Sequence, residues 1–130
     1  MKKFLIAIAA FLGFSAAQAQ ESPLWLRYPS ISPDGKTIAF TYKGDIYTVP
    51  SAGGKAQAVT TNPAYDYMPV WSPDGKTIAF SSDRNGNFDV YTVPAEGGTP
   101  TRLTTNSANE NVQTFTPDGK QVIFTASIQK

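Results

Sequence analysis

The side chains that could take part in acid–base chemistry or ligand binding in this sequence are mainly carboxylates, amides and aromatic rings. The chain has 130 residues and contains neither cysteine nor histidine. Disulfides, thiol nucleophiles and thiolate metal sites are therefore excluded, as are the Ser-His-Asp triad and the commonest general base. No Ser/Lys pair lies in an identifiable site. We therefore expect no catalytic residue, no cofactor and no metal site in this chain.

Three aspartates, Asp34, Asp74 and Asp118, recur at one position of a repeated motif. An enzyme seldom needs the same catalytic acid in every repeat, whereas an aspartate in a turn accepts hydrogen bonds from nearby backbone N–H groups. We interpret all three as turn residues. Asp45 and Asp89 each precede a strand-like segment, and we expect them to bond neighbouring backbone groups.

An alternating acidic and amide segment, with Asp83, Asn85 and Asn87, could suggest a calcium-binding loop. In an EF-hand loop the glycine comes later than Gly86 does here, and a glutamate closes the loop, which this segment lacks. We interpret the segment as the tip of a β-hairpin, because Asn-Gly is a strong hairpin signal.

The remaining candidates for function lie in two segments that link one repeat to the next. Their residues are Tyr65, Asp66, Tyr67, Asn109, Glu110 and Asn111. Connecting loops carry binding functions more often than packed strands do. The two segments differ in sequence, as expected of a surface that packing does not constrain. We predict that they contact a ligand or a partner protein.

A repeated motif supplies the elements that must position these residues. Ser-Pro-Asp-Gly-Lys-Thr-Ile-Ala-Phe occupies residues 32–40 and recurs unchanged at 72–80, and a variant of it occupies 116–124. Each full repeat contains four short segments rich in Val, Ile, Tyr, Thr and Phe, which are separated by turn signals. In the second repeat we expect strands at 67–71, 77–81, 89–93 and 101–105.

The spacing between repeats increases from 40 to 44 residues, and the extra residues all lie within 82–87, between two expected strands. A hairpin tip absorbs such an insertion without changing the register of either strand. Large apolar residues recur at fixed positions of each repeat, among them Trp71 and Phe80. We expect these side chains to pack between neighbouring sheets.

Repeats of about 40–45 residues with four strands each are typical of β-propeller blades. The predicted fold is all-β, with blades of four antiparallel strands in an incomplete ring of about two and a half blades. Blade 1 is predicted at 24–62, blade 2 at 63–106 and a partial blade 3 at 107–130. Because a propeller has roughly 4–8 blades, we expect the chain to be the N-terminal part of a longer protein. The remaining blades and C-terminal domains of that protein would be its first partners.

The first 19 residues have the pattern of a secretory signal peptide. Lys2 and Lys3 precede a short apolar stretch, and a run of small residues ends in Ala17 and Ala19. The apolar stretch is too short to span a membrane. We predict cleavage after Ala19 and a periplasmic or secreted domain at 20–130, without membrane contact after cleavage. Removal of two lysines changes the net charge from +1 to −1. We therefore expect no nucleic-acid partner, because such binding depends on an excess of positive charge.

The second repeat carries a series of short motifs. They are Pro-Val-Trp-Ser-Pro-Asp-Gly-Lys at 69–76, Ser-Asp-Arg at 82–84, Asp-Val-Tyr at 89–91 and Arg-Leu-Thr at 102–104. Together they resemble the WD-like β-propeller repeat of TolB and of tricorn-type proteases. The resemblance covers nearly the whole chain after the signal peptide.

The parent that this resemblance favours is a secreted tricorn-like serine peptidase. TolB-like proteins place a separate α/β domain before the propeller, whereas the first repeat here begins at about Leu24. Val-Pro-x-x-Gly-Gly, at 49–54 and 93–98, also looks tricorn-like. The implied function is a non-catalytic propeller that gates or binds the peptide substrates of a periplasmic peptidase. The family's catalytic serine has no counterpart among these residues.

Two other parents stay open. One is a TolB-like periplasmic propeller that binds envelope proteins. The other is the propeller of a secreted amidohydrolase or of a prolyl-oligopeptidase-type hydrolase. Peptides or envelope proteins are therefore the expected external partners.

Overall fold

The computed structural model describes residues 25–127, which form ten β-strands and no helix. The first sheet contains β1 (Arg27–Ile31), β2 (Thr37–Tyr42), β3 (Asp45–Pro50) and β4 (Gln57–Ala58). The second sheet contains β5 (Asp66–Trp71), β6 (Thr77–Ser82), β7 (Asp89–Pro94) and β8 (Thr101–Arg102). The last strands are β9 (Asn109–Phe115) and β10 (Val122–Ser127). The predicted signal peptide lies outside the described residues.

Both four-stranded sheets are antiparallel, with the strands in sequence order, and β9 and β10 form an antiparallel pair. We call the two sheets blade one and blade two. This arrangement confirms the predicted all-β fold with blades of four antiparallel strands. Over residues 25–127 it comprises two full sheets and the first two strands of a third.

The fourth strand of blade two is shorter than predicted, since it ends at Arg102 rather than at residue 105. The N–H of Val90 on β7 donates to the hydroxyl of Thr104, at 2.9 Å, where continued pairing would supply a backbone carbonyl. In blade one the hydroxyl of Thr60 accepts the N–H of Ile46 in the same way, also at 2.9 Å. Backbone pairing therefore stops early in both blades.

The three Asp-Gly turns confirm the structural role of the repeated aspartates. Oδ1 of Asp34 accepts the hydroxyl of Ser32 at 2.6 Å and the N–H of Lys36 at 3.0 Å. Asp74 and Asp118 make the same pair of bonds in their turns. The hydroxyl bond first, and the backbone bond second, lower the pKa of each carboxyl below its ordinary value.

The insertion in the second repeat leaves the strand register unchanged, as predicted. β2 and β3 pair from Thr37 with Pro50 to Tyr42 with Asp45. β6 and β7 pair in the same register, which ends at Ser82 with Asp89. The first hairpin closes through residues 43–44 and the second through residues 83–88. The longer repeat therefore differs only at the hairpin tip.

The main core lies between the two blades. Blade one contributes Ala39, Ile46 and Val59, and blade two contributes Ile78, Phe80, Tyr91 and Val93. Trp71 packs against this cluster, and its Nε1–H donates to the carbonyl of Ser30 at 3.0 Å. The expected packing of Trp71 and Phe80 between sheets is therefore confirmed. A second cluster, of Ala79, Val90 and Val112, joins blade two to the β9–β10 pair.

The outer side of blade one carries the same apolar side chains that blade two buries. At the positions that match Ile78, Phe80, Tyr91 and Val93, blade one has Ile38, Phe40, Tyr47 and Val49. These four residues line an open apolar cleft of about 490 Å³. We call this surface the outer face of blade one. No described element covers it.

The first strands of the blades lie beside one another. β5 contacts β1 on one side and β9 on the other. Each linking segment is fixed to the preceding hairpin, since the N–H of Asp66 donates to the carbonyl of Gly44 at 2.8 Å and that of Glu110 to the carbonyl of Phe88 at 2.7 Å. Both predicted functional segments therefore lie at one end of the molecule, which we call the loop end.

Candidate functional site

Side chains at the loop end alternate between buried and accessible, because the strands begin within the linking segments. Asp66 and Glu110 are fully buried, whereas Tyr65 is 38% exposed. Tyr65 is held in place through its N–H, which donates to Oδ1 of Asp83 at 2.8 Å. The predicted site residues thus separate into a group that supports the fold and a group that faces outward.

Asp66 belongs to the supporting group. Both of its carboxylate oxygens accept from Nη2 of Arg84, at 3.0 and 2.9 Å. Nε of Arg84 donates to Oγ of Ser82 at 2.9 Å, and the guanidinium carbon lies 4.6 Å from the ring centroid of Tyr91 and 5.5 Å from that of Phe80. The pair fastens the start of β5 to the second hairpin of blade two. Arg84 is a residue whose role the sequence reasoning missed.

Asn109 and Glu110 also serve the fold. Oδ1 of Asn109 accepts the N–H of Phe88 at 3.2 Å. Oε1 of Glu110 accepts from Nδ2 of Asn106 at 2.8 Å, and Oε2 has no hydrogen-bond partner among the described residues. The Asn109 side chain thus holds the start of β9 against the hairpin at 83–88, while that of Glu110 fixes the linking segment that precedes β9.

Tyr67 and Asn111 are brought together, as their shared position in the repeats suggests. The Tyr67 hydroxyl donates to Oδ1 of Asn111. The Tyr67 ring centroid lies 4.9 Å from that of Phe88, 5.5 Å from that of Tyr28 and 5.6 Å from that of Tyr65. Burial first, and the neighbouring hydroxyls of Tyr28 and Tyr65 second, raise the pKa of Tyr67 above its ordinary value. Its hydroxyl is therefore a neutral donor near pH 7.

Tyr28, Tyr65 and Tyr67 form a group that we call the tyrosine cluster. Tyr28 is 41% exposed and Tyr65 is 38% exposed, while Tyr67 is half-buried beneath them. Tyr28 was not predicted as a site residue. It comes into the cluster because β1 lies against β5 and has an irregular register at this point.

A cleft of about 460 Å³ opens beside the tyrosine cluster. Its lining residues are Trp25, Arg27, Thr41, Lys43, Gly44 and Tyr65. The guanidinium carbon of Arg27 lies 5.6 Å from the ring centroid of Trp25. We call this space the loop-end cleft. Apart from Tyr65, sequence reasoning missed its residues, which come from two separate stretches of the chain, 25–27 and 41–44.

Two other carboxylates differ from expectation. Asp89 does not bond neighbouring backbone, since its Oδ2 accepts from Nη2 of Arg102 at 2.6 Å. Asp45 lies near the hydroxyl of Thr60, at 3.5 Å, and its pKa is raised by burial and then by the charge of Asp66. Both expectations were wrong. Each carboxylate bonds instead to a side chain in or just after the fourth strand of its blade, Thr60 for Asp45 and Arg102 for Asp89.

Within residues 25–127, no three His, Cys, Asp or Glu side chains are grouped as metal ligands would be. The same residues include no helix long and apolar enough to cross a membrane. The features of the loop end that could contact a ligand are therefore aromatic rings, amides, two cations and hydroxyls.

The family model for the tricorn protease N-terminal β-propeller domain matches residues 23–130. The chain belongs to this family. The match confirms the resemblance to tricorn-type repeats that the sequence motifs indicated. We refer to the chain below as this tricorn-type propeller. No curated protein matches the chain.

Solved structures show the same relationship. The putative TolB from Agrobacterium tumefaciens is 31% identical, with a TM-score of 0.72 over 79% of this chain and 38% of that one. TolB from Acinetobacter baumannii is 30% identical, with a TM-score of 0.68 over 78% of this chain and 27% of that one. The tricorn protease is 26% identical, with a TM-score of 0.65 over 75% of this chain and 10% of that one. This tricorn-type propeller therefore spans well under half the length of each.

Proposed function

We propose that this tricorn-type propeller is a non-catalytic unit that binds or gates polypeptide substrates of a periplasmic, tricorn-like peptidase. The observation that carries the proposal is the tyrosine cluster at the loop end. Tyr28 is 41% exposed and Tyr65 is 38% exposed, and each packs against the ring of Tyr67. Tyrosine rings supply a large, rigid contact area with a polar tip, and they are enriched in protein interfaces.

The charged groups at the loop end support binding rather than hydrolysis. The Asp66 carboxylate is fully buried and held by Arg84. Glu110 is also fully buried. Neither carboxylate is exposed to a substrate at the surface. The proposal therefore assigns peptide cleavage to another domain of a longer protein.

Periplasmic or secreted localisation is part of the proposal, and it is supported by the signal-peptide pattern of residues 1–19. Further blades of the same kind are the proposed first partners. The outer face of blade one supports this, because it presents the side-chain types that blade two buries against blade one. Such a blade would cover the apolar cleft of about 490 Å³.

A second candidate is a TolB-like propeller that binds an envelope protein. It is favoured by the identities, which are 31% and 30% to two TolB structures and 26% to the tricorn protease. The two candidates differ in the state of the ligand. A peptidase propeller handles unfolded polypeptide, whereas a recruiting propeller binds a folded partner.

Capture of an unfolded protein tests the first candidate. Immobilised carboxymethylated casein should retain the purified chain, and Tyr65→Ser should reduce that retention. Tyr47→Ser is the matched control, since Tyr47 lies on the outer face of blade one. A loss with Tyr47→Ser alone would assign capture to the outer face and contradict the proposal. Retention of folded envelope proteins with no retention on casein would favour the second candidate.

A further inference from the structure

One buried hydroxyl of blade one lacks the hydrogen bond that its counterpart in blade two makes. Oγ of Ser81 accepts the N–H of Val112, on the next first strand, at 2.9 Å. Thr41 has the same place in the first repeat and is only 2% exposed, yet its Oγ1 has no partner among the described residues. The equivalent N–H belongs to Met68, which has a left-handed φ of 58° within an irregularity of β5.

Thr41 lines the loop-end cleft together with two cations, Arg27 and Lys43. Arg27 is the register partner of Thr41, so both side chains emerge on one face of the sheet. The ion pairs of the described residues join Arg84 to Asp66 and Arg102 to Asp89. Arg27 and Lys43 have no carboxylate partner there. Each lies near an aromatic ring instead.

Aromatic walls and a tight turn complete the cleft. Trp25 and Tyr65 line its sides. Gly44 has a φ of 87°, and a Cβ there would lie 3.5 Å from Cδ2 of Tyr65. This is an ordinary van der Waals distance, so the Tyr65 ring packs directly against the turn. None of the lining residues is acidic, and a volume of about 460 Å³ suits a small ligand group.

We infer that the loop-end cleft binds a carboxylate group, supplied by an acidic side chain of a polypeptide. The Thr41 hydroxyl would donate to the carboxylate, Arg27 and Lys43 would balance its charge, and the aromatic rings would contact its aliphatic stem. Bonds between a cation and a carboxylate are stronger than neutral hydrogen bonds. The inference deepens the proposed function and rests on it, because it names the side-chain class that a bound polypeptide presents here.

Calorimetric titration of the full chain with a blocked tripeptide, acetyl-Ala-Glu-Ala-amide, tests the inference. The glutamine version of the peptide is the matched ligand control. We expect saturable binding of the glutamate peptide and at least about threefold weaker binding by Lys43→Gln or Arg27→Gln. Lys76→Gln, which lies in an Asp-Gly turn, should bind as the unchanged chain does.

Thr41→Val separates binding from folding. It removes a buried hydroxyl that has no partner, so we expect the melting temperature to hold or rise while the glutamate peptide binds less tightly. Unchanged binding by Thr41→Val and Lys43→Gln would overturn the inference. So would equal binding of the glutamine peptide, or of a glutamine peptide with a free carboxyl terminus, because the acidic side chain would then be dispensable.

The outcomes separate the inference from the proposed function. Casein retention without a preference for the glutamate peptide would overturn the inference alone. Tight binding of the glutamate peptide without casein retention would overturn the proposed function alone. If neither ligand binds, both are wrong.

Discussion

Replacing Ile78 by alanine should destabilise the chain much more than the same change at Ile38. The two residues have the same place in consecutive repeats. Ile78 is fully buried between the blades, whereas Ile38 lines the open cleft on the outer face of blade one. The substitution removes three carbon atoms, and at about 0.8 kcal/mol for each buried carbon the lost transfer free energy is about 2.4 kcal/mol. An enclosed cavity at Ile78 would bring the total to about 2–5 kcal/mol.

At Ile38 the same substitution widens a cleft that is already open, so no enclosed cavity forms. We expect a loss of about 1 kcal/mol or less. Urea denaturation followed by the fluorescence of Trp71, which packs against the core between the blades, measures both losses. Ile123→Ala is a useful control, because Ile123 is 50% exposed and should change little. Equal losses at Ile38 and Ile78, at every protein concentration, would refute the reasoning, since they would show that the outer face of blade one is covered.

Three further predictions concern the loop end and the turns. Arg84→Met leaves the buried Asp66 carboxylate unpaired and should cost about 3–5 kcal/mol of the free energy of unfolding in urea titrations. Gly44→Ala places a side chain at a φ of 87° and should cost about 1–2 kcal/mol by the same assay. The turn aspartates have lowered pKa values, so the stability that they contribute is present above their ordinary pKa of about 3.9 and is lost as the pH falls through the lowered values.

Each of these predictions has its own control. Arg102→Met should cost less than Arg84→Met, because the Arg102 side chain is 30% exposed and that of Arg84 only 14%. Gly53→Ala has open space around the added Cβ and a similar φ, of 94°, so a similar loss is expected if backbone strain is the cause. A loss at Gly44 alone would contradict that explanation. The turn aspartates are Asp34, Asp74 and Asp118. Replacing them by asparagine should reduce the change of the urea midpoint between pH 5 and pH 2. An unchanged dependence of the midpoint on pH would contradict the assigned role.

The fold could be predicted because the same pattern of strands and turns recurs along the sequence. Identical turns at 32–35 and 72–75 fix the same hairpin in two places, and the insertion at 82–87 falls where the register is insensitive to length. Strand ends were less predictable. The early end of β8 depends on the Thr104 hydroxyl, which competes with backbone pairing at a site that composition does not reveal.

The candidate site could be predicted only in part. The sequence identified the two linking segments, and the structure places both at one end of the molecule, where each bonds to the preceding hairpin. The roles of Asp66 and Glu110 were not apparent, since β5 begins at Asp66 and strand alternation buries both carboxylates. The loop-end cleft could not be predicted at all. Its residues come from distant parts of the sequence, and the unpartnered Thr41 hydroxyl faces a backbone irregularity at Met68 that no sequence signal announces.

Hydrogen exchange of the chain, with and without bound carboxymethylated casein, tests the central claim that the loop end binds polypeptide. The account predicts slower exchange in the segments at 25–28, 65–67 and 109–111, where the tyrosine cluster and its supports lie. Exchange on the outer face of blade one, at 38–49, should change little. Slower exchange confined to 38–49, or no change at the loop end despite saturating casein, would contradict the account.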